Sequence, residues 1–79
     1  MIAKIYVTLK NGVLDPQGKA VQHSLDSIGY KEAQDVRIGK FIEVKLTDMP
    51  KSEAEKKVKE MCEKMLANTV IENFRFEIE

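Results

Sequence analysis

The sequence has few of the residues that cross-link small domains or carry out catalysis. Its 79 residues include one cysteine, Cys62, one histidine, His23, and no tryptophan. A single cysteine excludes an internal disulfide and suits a reducing compartment, so we expect a cytoplasmic protein. A chain of this length has room for one domain, which we expect over residues 1–79. One cysteine and one histidine cannot form a tetrahedral zinc site without several carboxylates.

Long apolar runs and an excess of one charge are also missing. No stretch approaches the ~20 apolar residues that a membrane span requires. The first residues, Met1 to Ile5, lack the pattern of a signal peptide. Lys and Arg together number 13, as do Asp and Glu, so the formal net charge is zero. Neither nucleic acid nor a membrane is therefore expected as a partner.

The sequence contains no recognisable catalytic motif. There is no glycine-rich phosphate loop of the Gly-x-Gly-x-x-Gly or Walker type. His23 lies in a predicted helix, where a solvated histidine is the common case. Cys62 lies on an apolar helix stripe and is predicted to be buried and inert. The residues therefore indicate no catalytic, cofactor or metal site in this chain.

The first half of the chain predicts a strand and a helix. Residues 2–10 alternate apolar and polar side chains, which is typical of a strand with one buried face. Asp15 and Pro16 are a helix-start signal, because aspartate caps exposed N–H groups and proline suits the first helical position. The helix is predicted from Pro16 to Ile28, with Gly29 as its left-handed cap.

The second half predicts a hairpin, a helix and a last strand. Residues 35–38 and 41–46 are predicted to pair as strands joined through Gly39-Lys40. Ser52 and Glu55 fit a capping box at the start of the second helix. The last strand is predicted within residues 70–79. The apolar stripe of the second helix comprises Ala54, Val58, Met61, Cys62, Met65 and Leu66.

This order of elements predicts an α+β fold of the ferredoxin-like split βαβ type. Such a fold has a four-stranded antiparallel sheet with two helices on one face. The other face would be open and would carry Lys4, Tyr6, Thr8, Arg37, Phe41, Glu43, Lys45, Arg75 and Glu77. Aromatic side chains on an open face suggest a packing partner, and Tyr6, Arg37 and Phe41 are predicted to form an oligomer interface.

The loop from Lys10 to Gly18 is the least ordinary segment. Leu14 precedes the helix cap, but Lys19 occupies the position where a hydrophobic staple needs an apolar partner. Gly18 lies in the first helical turn at a cost of ~1 kcal/mol relative to alanine. A glycine there permits a close backbone approach. Either the loop packs against its own sheet or another chain docks on it, and the residues alone leave both possibilities open.

Four segments resemble the PurS family, the small subunit of phosphoribosylformylglycinamidine synthase. The most specific is the run from Lys10 to Ala20, which reads KNGVLDPQGKA. The resemblance continues at Gly29-Tyr30, at residues 36–43 and at residues 66–72. One departure is Thr69, where the family usually has proline.

The resemblance implies a non-catalytic subunit of an ATP- and glutamine-dependent ligase in purine biosynthesis. A homodimer or homotetramer would bridge a large synthetase subunit, PurL, and a glutaminase subunit, PurQ, and would assist the transfer of ammonia. The synthetase subunit, not this chain, would hold ATP and Mg. The residues predicted to contact partner subunits are Lys10, Gly12, Val13, Leu14, Asp15, Pro16, Gly18, Gly39 and Lys40.

The order of elements leaves two other functions open. One is a regulatory domain similar to ACT domains, which share the order of strands and helices and bind amino acids at dimer interfaces. The other is an enzyme that acts alone, although the residues indicate no site for it. Binding of amino acids to the isolated chain would favour the first, and activity without partners would favour the second.

Overall fold

A three-stranded antiparallel sheet and two helices make up the structure, a computed structural model that describes all 79 residues. The elements are β1 (Ile2–Leu9), α1 (Pro16–Ser27), β2 (Gly39–Lys45), α2 (Lys51–Met61), a π-helical turn (Cys62–Leu66) and β3 (Glu72–Ile78). The predicted α+β class and antiparallel sheet are confirmed.

Strand β1 is the central strand of the sheet, in the order β2-β1-β3. Ile5 faces Ile42 of β2 on one side and Phe76 of β3 on the other. Ala3, Ile5 and Val7 are fully buried or nearly so, because they lie in the middle strand on the face that α2 covers. The alternation read from residues 2–10 therefore identifies the buried face correctly.

Helix α2 covers the sheet with Ala54 and Val58, both fully buried. The predicted capping box does not form, since the helix begins at Lys51 and Pro50 occupies the cap position without a side-chain hydrogen bond. The Pro50 carbonyl instead accepts the N–H of Ala54 at 3.0 Å.

A π-helical turn ends this helix. The N–H of Ala67 donates to the carbonyl of Cys62 at 3.0 Å, which inserts one residue into the last turn. Cys62 continues the buried spacing of Ala54 and Val58, and Ala67 after the turn is buried as well, whereas Met65 is 86% exposed. Met65 was predicted on the buried stripe, and that prediction is wrong because the wider turn rotates it outward.

The predicted hairpin between residues 35–38 and 41–46 is wrong. Residues 33–38 form no regular structure, and β2 begins at Gly39 and pairs with β1 over its whole length. Gly39 is a strand residue and not part of a turn, because it lies opposite Thr8 of β1. The fourth strand predicted from the sequence is therefore absent from the sheet.

Helix α1 begins at Pro16, as predicted, but does not cover the sheet. No residue of α1 belongs to the core cluster or packs against it. The two helices predicted on one face are thus present, but only α2 packs there. Neither helix is long and apolar enough to cross a membrane.

Candidate interaction surfaces

The loop between β1 and α1 is folded tightly onto its own chain. The N–H of Lys10 donates to the carbonyl of Ile71 at 2.8 Å, and the N–H of Val13 donates to the carbonyl of Lys10 at 3.2 Å. Gly12 has a φ of +85°, a conformation that glycine adopts without steric cost. The turn signal in the sequence therefore corresponds to a real turn at this position.

Asp15 joins the start of α1 to the segment that leads into β2. One carboxylate oxygen accepts the N–H of Gly18 and the other accepts the N–H of Ile38, both at 2.8 Å. Asp15 is buried, and only 5% of its surface is exposed. The N–H groups of Ile38 and Gly18 and the nearby charge of Arg37 lower the pKa of Asp15 below its ordinary value, although burial opposes this shift.

Arg37 joins the segment before β2 to the loop itself. Its guanidinium donates to the carbonyls of Val13 and Lys10, both at 3.1 Å, and to that of Leu9 at 3.4 Å. The planar fork of arginine suits such a set of acceptors. We call the hydrogen bonds of Asp15 and Arg37 the loop clamp.

Arg37 does not lie on the open face of the sheet, as the sequence predicted. Residues 35–38 form no strand, so Arg37 has no place in the sheet. Its guanidinium contacts the loop instead.

Two glycines permit close backbone contacts within the chain. A β-carbon on Gly18 would overlap the carbonyl oxygen of Val36, and one on Gly39 would lie 2.5 Å from the carbonyl oxygen of Val7. These approaches account for both glycines without any partner. Of the two possibilities left open by the sequence, the loop packing against its own chain is the one that the structure contains.

Other members of the predicted contact set face outward. Leu14 is 72% exposed although it is apolar and lies one residue before the buried Asp15. Gly12, Pro16 and Lys40 are exposed as well, while Lys10 and Val13 are half-buried. Leu14 is therefore an exposed apolar side chain on a loop that hydrogen bonds within the chain hold in place.

The open face of the sheet carries a small aromatic cluster. Tyr6 of β1 lies opposite Phe41 of β2, with ring centroids 5.1 Å apart and a tilt of 36°. Arg75 of β3 lies 3.9 Å above the Tyr6 ring, a cation–π contact. Phe41 is 53% exposed. Arg75 was predicted on this face but not among the interface residues, and the register of β3 on β1 places it opposite Tyr6.

Neither Cys62 nor His23 belongs to a cluster of reactive groups. Burial raises the pKa of the Cys62 thiol, which keeps the thiol protonated and unreactive near neutral pH. His23 lies exposed on α1. No group of three or more His, Cys, Asp and Glu side chains is placed to hold a metal ion.

The chain is similar to proteins of one family over nearly its whole length. The sequence model of the protein family PurS, phosphoribosylformylglycinamidine (FGAM) synthase, matches residues 2–79 of this chain. The chain is 58% identical to phosphoribosylformylglycinamidine synthase subunit PurS of Bacillus subtilis (strain 168), over 96% of this chain and 89% of the relative.

Solved structures give the same result. The structure of Bacillus subtilis PurS in its C2 crystal form superposes with a TM-score of 0.87 and 56% identity, over 99% of this chain and 96% of the other. A chain in the structure of PurLQS from Thermotoga maritima has a TM-score of 0.83 and 26% identity, over 98% and 96% of the two chains. The resemblance to ACT domains finds no support in these comparisons. The family match, the identity to curated relatives and the shared fold together establish that this chain belongs to the PurS family of phosphoribosylformylglycinamidine synthase.

Proposed function

We propose that this chain is the non-catalytic small subunit of phosphoribosylformylglycinamidine synthase and joins the synthetase subunit PurL to the glutaminase subunit PurQ. The observation that carries this proposal is the match to the PurS family over residues 2–79. Leu14, an exposed apolar side chain on a loop that the clamp holds in place, offers a contact for a partner. A rigid apolar contact loses little conformational entropy when it is buried by a partner, so it suits a docking site. The PurLQS structure of a related chain supports the choice of partners.

The contact surface for those partners comprises the exposed part of the loop and the start of β2. Leu14 supplies apolar area, and Lys40 supplies a positive charge that lies 3.8 Å from Glu72. Asp15 and Gly18 act indirectly, because they fix the loop through contacts within the chain. Gly39 also acts indirectly, because it lets the start of β2 approach Val7 of β1. Gly12, Val13, Pro16 and Lys10 complete the surface around Leu14.

The open sheet face is proposed as a contact between copies of this chain in a homodimer or homotetramer. Tyr6 and Phe41 offer the apolar centre, and Arg75 replaces Arg37 as the cation of this surface. In the assembled enzyme, ATP and Mg would bind to the synthetase subunit, ammonia would pass from the glutaminase, and the complex would work in the cytoplasm. The sequence predicted a complete split βαβ fold with a fourth strand. We propose this four-stranded arrangement for the assembled state only.

The proposal is tested by reconstitution. The chain is mixed with PurL and PurQ of the same source, ATP, glutamine and formylglycinamide ribonucleotide, and the glutamine-dependent formation of the amidine is measured. Activity should require this chain, and Leu14→Asp should weaken complex formation while the circular dichroism spectrum stays unchanged. Val70→Asp is a matched control, since Val70 is 81% exposed and lies outside the loop. Full activity without the chain, or unchanged affinity of Leu14→Asp, would contradict the proposal.

A further inference from the structure

The turn at the tip of the loop between β1 and α1 contains an asparagine followed by a glycine. Asn11 and Gly12 are both exposed, and the N–H of Val13 donates to the carbonyl of Lys10 at 3.2 Å to close the turn. The φ of Gly12 is +85°, and no residue other than glycine has a positive φ. A positive φ at the third turn residue, with a negative φ at the second, is typical of a type II turn. Asn11 and Gly12 are therefore the two central residues of this turn.

No contact within the chain holds these two residues in place through the groups that would react. The main-chain N–H of Gly12 donates no hydrogen bond. The side-chain amide of Asn11 forms none either. The surroundings of Gly12 are open, since even a β-carbon there would meet no atom within 4 Å. Because glycine has no side chain, its nitrogen can approach the side chain of Asn11 without steric hindrance.

An asparagine followed by such a glycine can close a ring on itself. The Gly12 nitrogen loses its proton to solvent and attacks the side-chain carbonyl carbon of Asn11. A new C–N bond forms, the bond from that carbon to the side-chain nitrogen breaks, and this nitrogen takes a proton and leaves as ammonia. The product is a five-membered cyclic imide. Water then adds to one of its two carbonyls and opens the ring, which leaves either aspartate or isoaspartate at residue 11.

The other two asparagines of the chain lack this arrangement. The side-chain oxygen of Asn68 accepts the N–H of Val70 at 3.2 Å, and the next residue, Thr69, has a branched β-carbon. Asn73 lies within β3, which is paired with β1, and the bulky Phe74 follows it. A backbone held by the sheet is not free to bend toward its own side chain. The chain therefore has one asparagine that is open to ring closure and two that serve as internal controls.

Formation of isoaspartate at residue 11 would act directly on the loop clamp. Arg37 donates to the carbonyls of Lys10 and Val13, both at 3.1 Å, so its guanidinium spans the turn. In isoaspartate the main chain runs through the former side chain and contains one more carbon atom before Gly12. The longer chain no longer fits the hydrogen bond from Val13 to Lys10, and the two carbonyls no longer match the planar fork of Arg37. The turn should therefore open.

The same reaction changes the charge of the surface around Leu14. Either product replaces a neutral amide by a carboxylate, so the formal net charge of the chain falls from zero by one. Lys10 and Gly12, on either side of this carboxylate, belong to the surface that the proposed function assigns to partner subunits. A carboxylate in such a surface must give up water when a partner docks, which opposes binding.

We propose that Asn11 is a site of spontaneous deamidation, and that the reaction disables the docking loop of a subunit that has remained unassembled. A partner that covers the turn restricts the bending that ring closure needs, so the assembled chain is protected. The reaction accelerates as the pH rises, because the attacking group is the deprotonated nitrogen of Gly12. The effect on docking rests on the proposed function, whereas the modification and the opening of the turn do not.

The first test incubates the full chain at mildly alkaline pH in water labelled with heavy oxygen and follows each asparagine by peptide mass spectrometry. Asn11 should lose its amide, with release of ammonia and uptake of one labelled oxygen, while Asn68 and Asn73 keep theirs. Asn11→Gln is the matched control, because its longer side chain keeps an amide but would have to close a less favourable six-membered ring. Amide loss at Asn11 no faster than at the other two asparagines would overturn the inference.

The second test asks whether the modification opens the turn. The difference in charge allows modified and unmodified chains to be separated by ion exchange, and hydrogen exchange is then measured on each. The Val13 amide should exchange about tenfold faster in the isoaspartate form, since the hydrogen bond that protects it is lost. An isoaspartate form with unchanged exchange at Val13 would overturn the inference.

The third test measures docking with PurL and PurQ. The modified chain should form less complex than an Asn11→Gln chain that was incubated alongside it, and equal complex formation by the two would overturn the effect on docking. A chain that proves dispensable for amidine formation would contradict the proposed function, but it would leave the results on the isolated chain intact. The two failures are therefore distinguishable.

Discussion

The carboxylate of Asp15 accepts a hydrogen bond from the N–H of Ile38, a residue 23 positions further along the chain, at 2.8 Å. This contact joins the start of α1 to the segment of residues 33–38, which has no regular structure and leads into β2. It is the long-range hydrogen bond of Asp15 in the loop clamp, and the N-terminal cap on Gly18 is its local one. The loop and its exposed Leu14 are therefore fixed by a side chain that also starts a helix.

Replacing Asp15 by asparagine should loosen this junction. Asparagine keeps one side-chain oxygen that can accept a hydrogen bond. Its NH₂ group would face the other backbone N–H, and two donors cannot form a hydrogen bond with each other. We expect hydrogen exchange at the Gly18 or Ile38 amide to accelerate by about tenfold. Asp35→Asn is the matched control, because Asp35 is exposed. Equal exchange rates in the two variants would show that the carboxylate does not hold the loop.

The Asp15 carboxylate should make the stability of the fold depend on pH in the acid range. Hydrogen bonds from Ile38 and Gly18 lower the pKa of Asp15 below the ordinary value of about 3.9. A group with a lowered pKa stabilises the fold fully above its ordinary pKa, and this contribution is lost as the pH falls through the lowered pKa. Titration followed by carboxyl carbon chemical shifts should show Asp15 titrating below the ordinary range of aspartate. An Asp15 that titrates in the ordinary range would contradict the clamp.

The glycines of the loop should differ in their tolerance of a side chain. Gly18→Ala brings a β-carbon into the Val36 carbonyl oxygen, which is backbone and cannot easily move. We expect a loss of at least about 2 kcal/mol in the free energy of unfolding, measured by urea denaturation. Gly12→Ala meets no atom within 4 Å and should cost only the roughly 1–2 kcal/mol of a left-handed backbone. The reverse order would be inconsistent with the packing described.

Cys62 should resist thiol reagents in the folded protein. It is fully buried and burial raises the pKa of its thiol, so both access and the thiolate fraction are low. Reaction with a disulfide reagent at neutral pH should be slow in buffer and fast in urea. Cys62→Ala should cost about 1 kcal/mol in the free energy of unfolding, because it removes one atom from the core. Rapid labelling of the native chain would contradict this burial.

Local patterns in the sequence predicted the central elements well. Alternation identified Ala3, Ile5 and Val7 as the buried side of β1, and Asp15-Pro16 located the first residue of α1. These signals depend on neighbours in the chain, which the sequence contains directly. The burial of Cys62 followed from helical spacing for the same reason.

The predictions that were wrong depended on contacts between distant segments. Gly39 suggested a turn, but it is a strand residue whose missing side chain allows its backbone to lie close to the Val7 carbonyl. Arg37 alternates with apolar neighbours as a strand residue would, yet its guanidinium binds carbonyls of the loop. Alternation placed Arg75 on the open face correctly, but its contact with Tyr6 depends on the register between β3 and β1. Periodicity contains no information about any of these partners.

Both outer edges of the sheet, on β2 and on β3, lack a neighbouring strand. Unpaired edges are where chains polymerise into fibrils when a subunit is produced in excess of its partners. Here the strands have only seven residues each, and charged side chains alternate along them, including Lys40, Glu43 and Lys45 on β2 and Glu77 on β3. Edge-to-edge pairing of several copies would bring the charges of neighbouring strands close together. We therefore expect these charges to oppose aggregation of the unassembled subunit through its exposed backbone.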